Sequence, residues 1–178
     1  MTGRTMTIPS TEELAAFWQR LGKKRQAVCC WDVEDGQRLD SLTGALENFG
    51  CLAMRDEAGQ VFQLGWLRPL WPGSATAMAH FASAGTRGQA LGSWPGFADF
   101  ARQRGFALLL AFLPLPFRHA RALARECGFE PCCVMPRAAW LASHKRLVDA
   151  ELLSIRIACK GRDPRCASGR VHAAHRRK

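Results

Sequence analysis

Gly85-Thr86-Arg87-Gly88-Gln89-Ala90 is the stretch that decides the fold, because it separates an apolar run from a helical pattern. Thr76–Ala82, directly before it, reads as a strand, and the helical pattern after it continues to about Arg104. A glycine-rich turn that opens a helix presents free backbone N–H groups and the positive end of the helix dipole. The turn therefore favours a bound diphosphate, and Gly88 would let the backbone approach it closely.

Predicted strands and helices alternate on both sides of this turn. Ser10 and Glu13 form a capping box for a helix that is predicted to end at Gly22, and Gln26–Val33 reads as a short strand. A second helical stripe ends at Gly50. Further strands are predicted at 51–55, 61–68, 106–113, 129–135 and 147–157, a helix at 116–127, and a loop around Trp140. This alternation predicts an α/β (α+β) fold with a mixed sheet.

Size and charge indicate one folded domain and a basic tail. The chain has 178 residues, of which 48% are hydrophobic, and a formal net charge of +10. Seven of the basic side chains and one acid, Asp163, lie in residues 159–178, which have no apolar periodicity. We therefore expect a single domain over 1–158 and a disordered tail over 159–178. The tail would contact nucleic acid only weakly and without sequence specificity.

Several protein classes are disfavoured by what the sequence lacks. The longest apolar run, Phe106–Phe117, is too short to cross a bilayer and contains two prolines. No signal-peptide pattern is visible, so we expect a cytoplasmic protein without a membrane partner. The eight cysteines have no Cys-x-x-Cys spacing, which predicts free thiols and no metal site. The oligomeric state stays open, including a homodimer.

The order of elements around the turn resembles the GNAT superfamily of N-acetyltransferases. That family carries Arg/Gln-x-x-Gly-x-Gly/Ala at this turn, and the chain matches it at Gly88 and Ala90 but has Gly85 in the first position. Gly128-Phe129 is similar to the Gly-Phe that follows the family's next helix. The similarity covers residues 50–135 and implies a mostly antiparallel central sheet with helices on both faces.

The resemblance also implies a ligand and its contacts. Acetyl-CoA would be held through its diphosphate by Gly85, Thr86, Arg87, Gly88, Gln89 and Ala90. Its pantetheine arm would lie along the strand backbone at Phe81, Ala82 and Ser83. His80 lies near the position where the family often has a base that deprotonates an acceptor amine. A histidine that only packs in its strand is the alternative.

The catalytic half of the family pattern is less complete than the binding half. The family's helix-start Asn is Phe117 here, its Tyr general acid is Ala124, and the chain contains no tyrosine. Pro95 lies inside the predicted cofactor helix and is expected to kink it. Two hypotheses follow: an acyl-CoA-dependent N-acyltransferase that acts by direct attack of an amine, or a catalytically silent module in a phage-type or regulatory assembly. Five tryptophans are candidates for an acceptor pocket or for core packing: Trp31, Trp66, Trp71, Trp94 and Trp140.

Overall fold

A computed structural model describes residues 4–5 and 9–157. Within these residues the chain forms four α-helices and seven β-strands. The helices are α1 (Thr11–Cys29), α2 (Arg38–Phe49), α3 (Arg87–Gln103) and α4 (Arg118–Glu126). The strands are β1 (Arg4–Thr5), β2 (Cys51–Arg55), β3 (Val61–Pro69), β4 (Thr76–Ser83), β5 (Leu108–Pro114), β6 (Glu130–Leu141) and β7 (Arg146–Arg156).

All seven strands form one sheet in the order β1-β2-β3-β4-β5-β7-β6. Only β4 and β5 run parallel, and every other neighbouring pair is antiparallel. The parallel connection needs a crossover, which α3 supplies. The predicted mixed and mostly antiparallel sheet is thereby confirmed.

Helices cover the two faces of the sheet with separate hydrophobic cores. On one face, Leu14, Phe17 and Leu21 of α1 pack with Leu42 and Leu46 of α2 against β2–β4. On the other face, α3 contributes a continuous apolar stripe to a second core, which α4 extends. The α3 residues in that core are Phe97, Ala98, Phe100 and Ala101. The predicted placement of helices on both faces is therefore confirmed.

The predicted strand at Gln26–Val33 is wrong, because helix resumes after Gly22 and continues to Cys29. Gly22 has a φ of 70°, which breaks the helix at the predicted position without ending it. The Gln26 side chain donates a 2.7 Å hydrogen bond to the carbonyl of Trp18, so an acceptor at the break keeps a partner. This local repair lets the second half of α1 form.

Two other parts of the chain differ from the sequence-based expectation. Trp140 lies in β6, which extends to Leu141, and not in a loop. The helix α3 continues past Pro95 to Gln103. The domain boundary at 158/159 and the basic tail lie outside the described residues. In the part of the chain that is described, no helix is long and apolar enough to cross a membrane.

Gly65 allows α3 to pack closely on the sheet. A Cβ atom at this position would lie 2.5 Å from ring atoms of Phe97. The ring of Phe97 is fully buried and contacts the rings of Phe81, Trp94 and Phe100, so it has little room to move. The absence of a side chain at Gly65 therefore sets how near α3 comes to β3 and β4.

We expect Gly65→Ala to lower the free energy of unfolding by about 1–3 kcal/mol, the usual cost of overpacking a core. Gly92→Ala is the matched control, because a Cβ there meets nothing within 4 Å on the exposed side of α3. That control should be neutral or stabilise by roughly 0.5–1 kcal/mol. Denaturant unfolding of the two variants measures the difference, and equal stabilities would show that α3 is not held by this contact.

Candidate functional site: a split between two parallel strands

The strands β4 and β5 pair at one end and separate at the other. Their ladder has three residue pairs and ends at Met78↔Leu110. Beyond it, residues 79–83 of β4 and 111–114 of β5 have no partner in each other, although β3 and β7 pair with their outer sides. We call this opening the β4–β5 split. It leaves a strand edge of unpaired backbone groups in the middle of the sheet, which is uncommon away from sites of binding.

The helix α3 begins at the open end of the split. Thr86 is its N-cap, and its hydroxyl accepts a hydrogen bond from the Gln89 N–H at 3.2 Å. The Gln89 side chain accepts in return from the Thr86 N–H at 2.8 Å. The N–H groups of Arg87 and Gly88 have no acceptor among the described residues. They are the two donors of the first turn that a ligand anion could take.

The space above these two donors is open. A Cβ atom at Gly88 would meet nothing within 4 Å. At Gly85, by contrast, a Cβ would lie 2.8 Å from the Gln89 side chain and 3.0 Å from Phe62. Gly85 is thus required by packing under the turn, which explains why the chain has glycine in the first position of the motif. Gly88 faces the side from which a diphosphate would approach, and the turn therefore fits such a ligand.

Arg87 is held by the other helix on this face. Its guanidinium forms a two-point ion pair with Glu126, the last residue of α4, including a 3.0 Å bond from Nε. Both side chains remain about half exposed. The pair places a cation beside the mouth of the split and ties the start of α3 to the end of α4. Sequence reasoning missed Glu126, because only the packing of α3 beside α4 brings it near Arg87.

Arg25 fixes the glycine-rich turn from the opposite side of the sheet. Its Nη1 atom donates to the carbonyls of Ser83 and Gly85, both at 3.0 Å. Arg25 lies in the second half of α1, so the wrong strand prediction for that segment concealed its role. The turn is therefore held by Arg25 while its free N–H groups stay available.

His80 lies on the α1–α2 face of the split. Its ring stacks on Trp66 of β3, with centroids 5.1 Å apart and planes 6° from parallel. Burial lowers the pKa of His80 to about 4, and the nearby Arg68 acts in the same direction while Asp32 opposes it. The imidazole is accordingly neutral at physiological pH, an acceptor of hydrogen bonds with weak basicity.

The opposite wall of the split on this face is also aromatic. Phe112 of β5 is two residues past the last β4–β5 pair, as His80 is, so the two lie at the same level and on the same face. The ring of Trp31 packs on Phe112 with centroids 5.8 Å apart. The carbonyl of Trp31 accepts a 3.0 Å hydrogen bond from the N–H of Ala142, in the turn between β6 and β7. The segment after α1 therefore crosses the split.

On the α3–α4 face, the helix α4 presents no acid to the split at the family's position. Ala124 packs partly buried against the core of this face, and Phe117 is the N-cap of α4. A buried carboxylate, Glu151 of β7, holds the helix in place through Arg121 at 2.7 Å and Arg125 at 2.6 Å. Burial alone would raise the pKa of Glu151, but the two guanidinium groups lower it overall. This network makes α4 a fixed wall.

The structure brings most of the predicted site residues to one place. Ser83 and the turn residues Gly85–Ala90 surround the open end of the split, and His80, Phe81 and Ala82 line β4 beside it. Phe81 lies toward α3, where its ring meets Phe97 edge-on at 5.9 Å, whereas His80 lies on the other face. Their assignment to acetyl-CoA and to a base stays a prediction.

Only two of the five candidate tryptophans, Trp31 and Trp66, lie beside the split. Trp94 packs in the core against Phe97 and Phe129, and Trp71 and Trp140 are exposed away from it. Phe112, Asp32 and Arg68 belong to the acceptor side but have no sequence signal that separates them from ordinary strand and loop residues.

Comparison with known proteins identifies the architecture. No family model matches the sequence, and no curated protein is significantly similar to it in sequence. Among solved structures, the chain is similar to a GNAT superfamily phosphinothricin acetyltransferase from Sinorhizobium meliloti in complex with AcCoA, with a TM-score of 0.65 at 13% identity over 88% of this chain and 89% of that one.

Two further structures show the same likeness. A GCN5-related N-acetyltransferase from Kribbella flavida has a TM-score of 0.66 at 16% identity, over 87% of this chain and 97% of that one. The ribosomal-protein-S18-alanine N-acetyltransferase from Escherichia coli has a TM-score of 0.63 at 14% identity, over 92% and 98%. Because the split and the turn coincide with this architecture over nearly the whole described chain, the protein has the fold of the GNAT N-acetyltransferases.

Proposed function

We propose that the protein is an acyl-CoA-dependent N-acyltransferase that transfers an acetyl group from acetyl-CoA to an amine. The observation that carries the proposal is the position of the free N–H groups of Arg87 and Gly88, at the open end of the β4–β5 split. A diphosphate there would accept from both donors and meet the positive end of α3. The solved complex with AcCoA of a protein of this fold supports the choice of ligand.

Each part of the split has a role in this proposal. The residues of the turn hold the diphosphate, and the unpaired edge of β4 at 79–83 provides backbone groups for the pantetheine arm. Acetyl-CoA would supply an activated acetyl thioester. The chain's own contribution is then to orient the ligand and to bring the amine beside it from the α1–α2 face. Juxtaposition of two reactants is a large source of rate, up to roughly 7–11 kcal/mol.

Proton transfer is the weaker part of the site. The chain has no tyrosine and has Ala124 at the position of the family's acid, so no side chain of that type protonates the leaving thiolate. A thiol of pKa near 8.5 leaves tolerably as an anion, and the missing acid is expected to slow the reaction by roughly 10²–10⁴-fold without preventing it. His80 is our candidate for the group that accepts the proton of the amine.

Calorimetric titration with acetyl-CoA, followed by an assay of acetyl transfer, tests the proposal. At about 100 times the dissociation constant, bound ligand should stabilise the fold by about 2.7 kcal/mol. Absence of binding at millimolar acetyl-CoA would refute the proposed cofactor site. Binding without turnover on a broad panel of amines would instead identify the silent module.

A further inference from the structure

The face of the split that is opposite to α3 and α4 carries two charged side chains of opposite sign. Asp32 directly follows Trp31 in the segment that crosses the split, and it is exposed. Arg68 of β3 is two residues beyond Trp66, on the same face of the sheet, and is also exposed. Neither side chain has an ion pair or a hydrogen bond within the described part of the chain.

The electrostatic influence of both groups reaches the same ring. Arg68 and Asp32 shift the pKa of His80 in opposite directions, so the two charges lie on the two sides of the site that His80 occupies. His80 itself is neutral and repels neither sign of charge. The split thus offers one unpaired cation, one unpaired anion and an uncharged ring between them.

The remaining walls on this face are flat and apolar. The stack of His80 on Trp66 forms one side, and Phe112 with Trp31 forms the other. The level of His80 and Phe112 is two residues past the last β4–β5 pair, which is where the unpaired strand edges begin to face each other. Rings at this spacing favour a planar apolar group over a polar or strongly branched one.

We propose that the acceptor is a small zwitterionic α-amino acid with a flat apolar side chain, which rests on the proposed acyltransferase function. Its ammonium group would face Asp32, its carboxylate would face Arg68, and its side chain would lie between the aromatic walls. In the reaction its amine, after loss of one proton, forms the N–C bond to the acetyl carbon. The C–S bond breaks, and coenzyme A leaves as the thiolate, which takes up a proton from solvent.

The test compares three acceptors on the full chain loaded with coenzyme A or acetyl-CoA: L-phenylalanine, L-phenylalaninamide and L-alanine. Calorimetry measures acceptor binding, and acetyl transfer measures kcat/KM. We expect L-phenylalanine to be preferred over both others, because the amide lacks the carboxylate and alanine lacks the ring. Loss of a hydrogen-bonded charge contact corresponds to about 10- to 100-fold in either quantity.

Two variants separate the contributions of the charges. Arg68→Gln should weaken L-phenylalanine about 10-fold or more and leave L-phenylalaninamide unchanged, whereas Asp32→Asn should weaken both. Arg118→Gln, an exposed arginine on the opposite face of the sheet, is the control and should change neither. All three variants should bind acetyl-CoA as the parent does.

The outcomes distinguish this inference from the proposed function. If acetyl-CoA binds but L-phenylalaninamide binds as well as L-phenylalanine, or Arg68→Gln has no effect, the zwitterionic acceptor is wrong and the cofactor site stands. If acetyl-CoA itself does not bind, the proposed function fails first. Binding of L-phenylalanine that depends on Arg68, even without turnover, would support the acceptor site.

Discussion

Gly88→Glu is expected to reduce the affinity for coenzyme A by at least about 100-fold, the largest effect of any substitution that we predict. The new side chain would occupy the open space above the free N–H groups of Arg87 and Gly88. It would also place a negative charge beside the diphosphate, and two like charges 4 Å apart repel by about 4 kcal/mol at an effective dielectric constant of 20. Bulk and charge therefore act in the same direction.

The fold should tolerate this change. A glutamate in the first turn of a helix interacts favourably with the helix dipole, by roughly 0.3–1 kcal/mol. Gly44→Glu is the matched control, because Gly44 lies inside α2 on the other face of the sheet and also has open space at its Cβ position. Calorimetric titration should show tight binding for the parent and the control only. Equal affinity in Gly88→Glu would mean that the turn does not hold the diphosphate.

The second large effect is a loss of stability in acid that arises from His80. The pKa of His80 is about 4 in the folded protein, against 6.5 for an unperturbed histidine. Because the folded state binds the proton less well than the unfolded state, the stabilising effect of a neutral His80 is complete above pH 6.5. It is lost as the pH falls from 6.5 toward 4. The loss amounts to about 3 kcal/mol at pH 4.

His80→Phe isolates this contribution, since it keeps a ring against Trp66 and removes the titrating group. Other residues also titrate in this range, so the informative quantity is the difference between parent and variant. The free energy of unfolding of the parent should fall by about 3 kcal/mol more than that of His80→Phe between pH 7 and pH 4. His119→Gln, an exposed histidine of α4, serves as the control and should follow the parent. Parallel curves for the parent and His80→Phe would show that His80 is not buried in its neutral form.

Much of the fold could be predicted because glycines end its elements. Gly50, Gly59, Gly105 and Gly128 all have positive φ values, and each follows a helix or lies in a hairpin turn where the sequence predicted a break. Gly22 also has a positive φ, but there the helix resumes after the break. A local signal cannot distinguish these two outcomes, because the resumption depends on the hydrogen bond from Gln26 to Trp18.

The candidate site divides in the same way. The turn at Gly85–Ala90 could be predicted because its capping and its glycines are local features of the sequence. The ion pair of Arg87 with Glu126 and the contact of Trp31 with Phe112 join residues that are far apart in the chain. The acceptor side of the split is built from such contacts, and its residues have no spacing that a sequence pattern could reveal.

The measurement that tests the central claim most directly is a map of backbone amide chemical shifts on addition of coenzyme A to the ¹⁵N-labelled protein. We predict that the amides of Arg87 and Gly88 shift most, together with those of residues 79–83 along the split. Amides of α2, such as that of Gly44, should not move. Saturating coenzyme A that leaves Arg87, Gly88 and residues 79–83 unshifted, or shifts only amides remote from the β4–β5 split, would contradict the account.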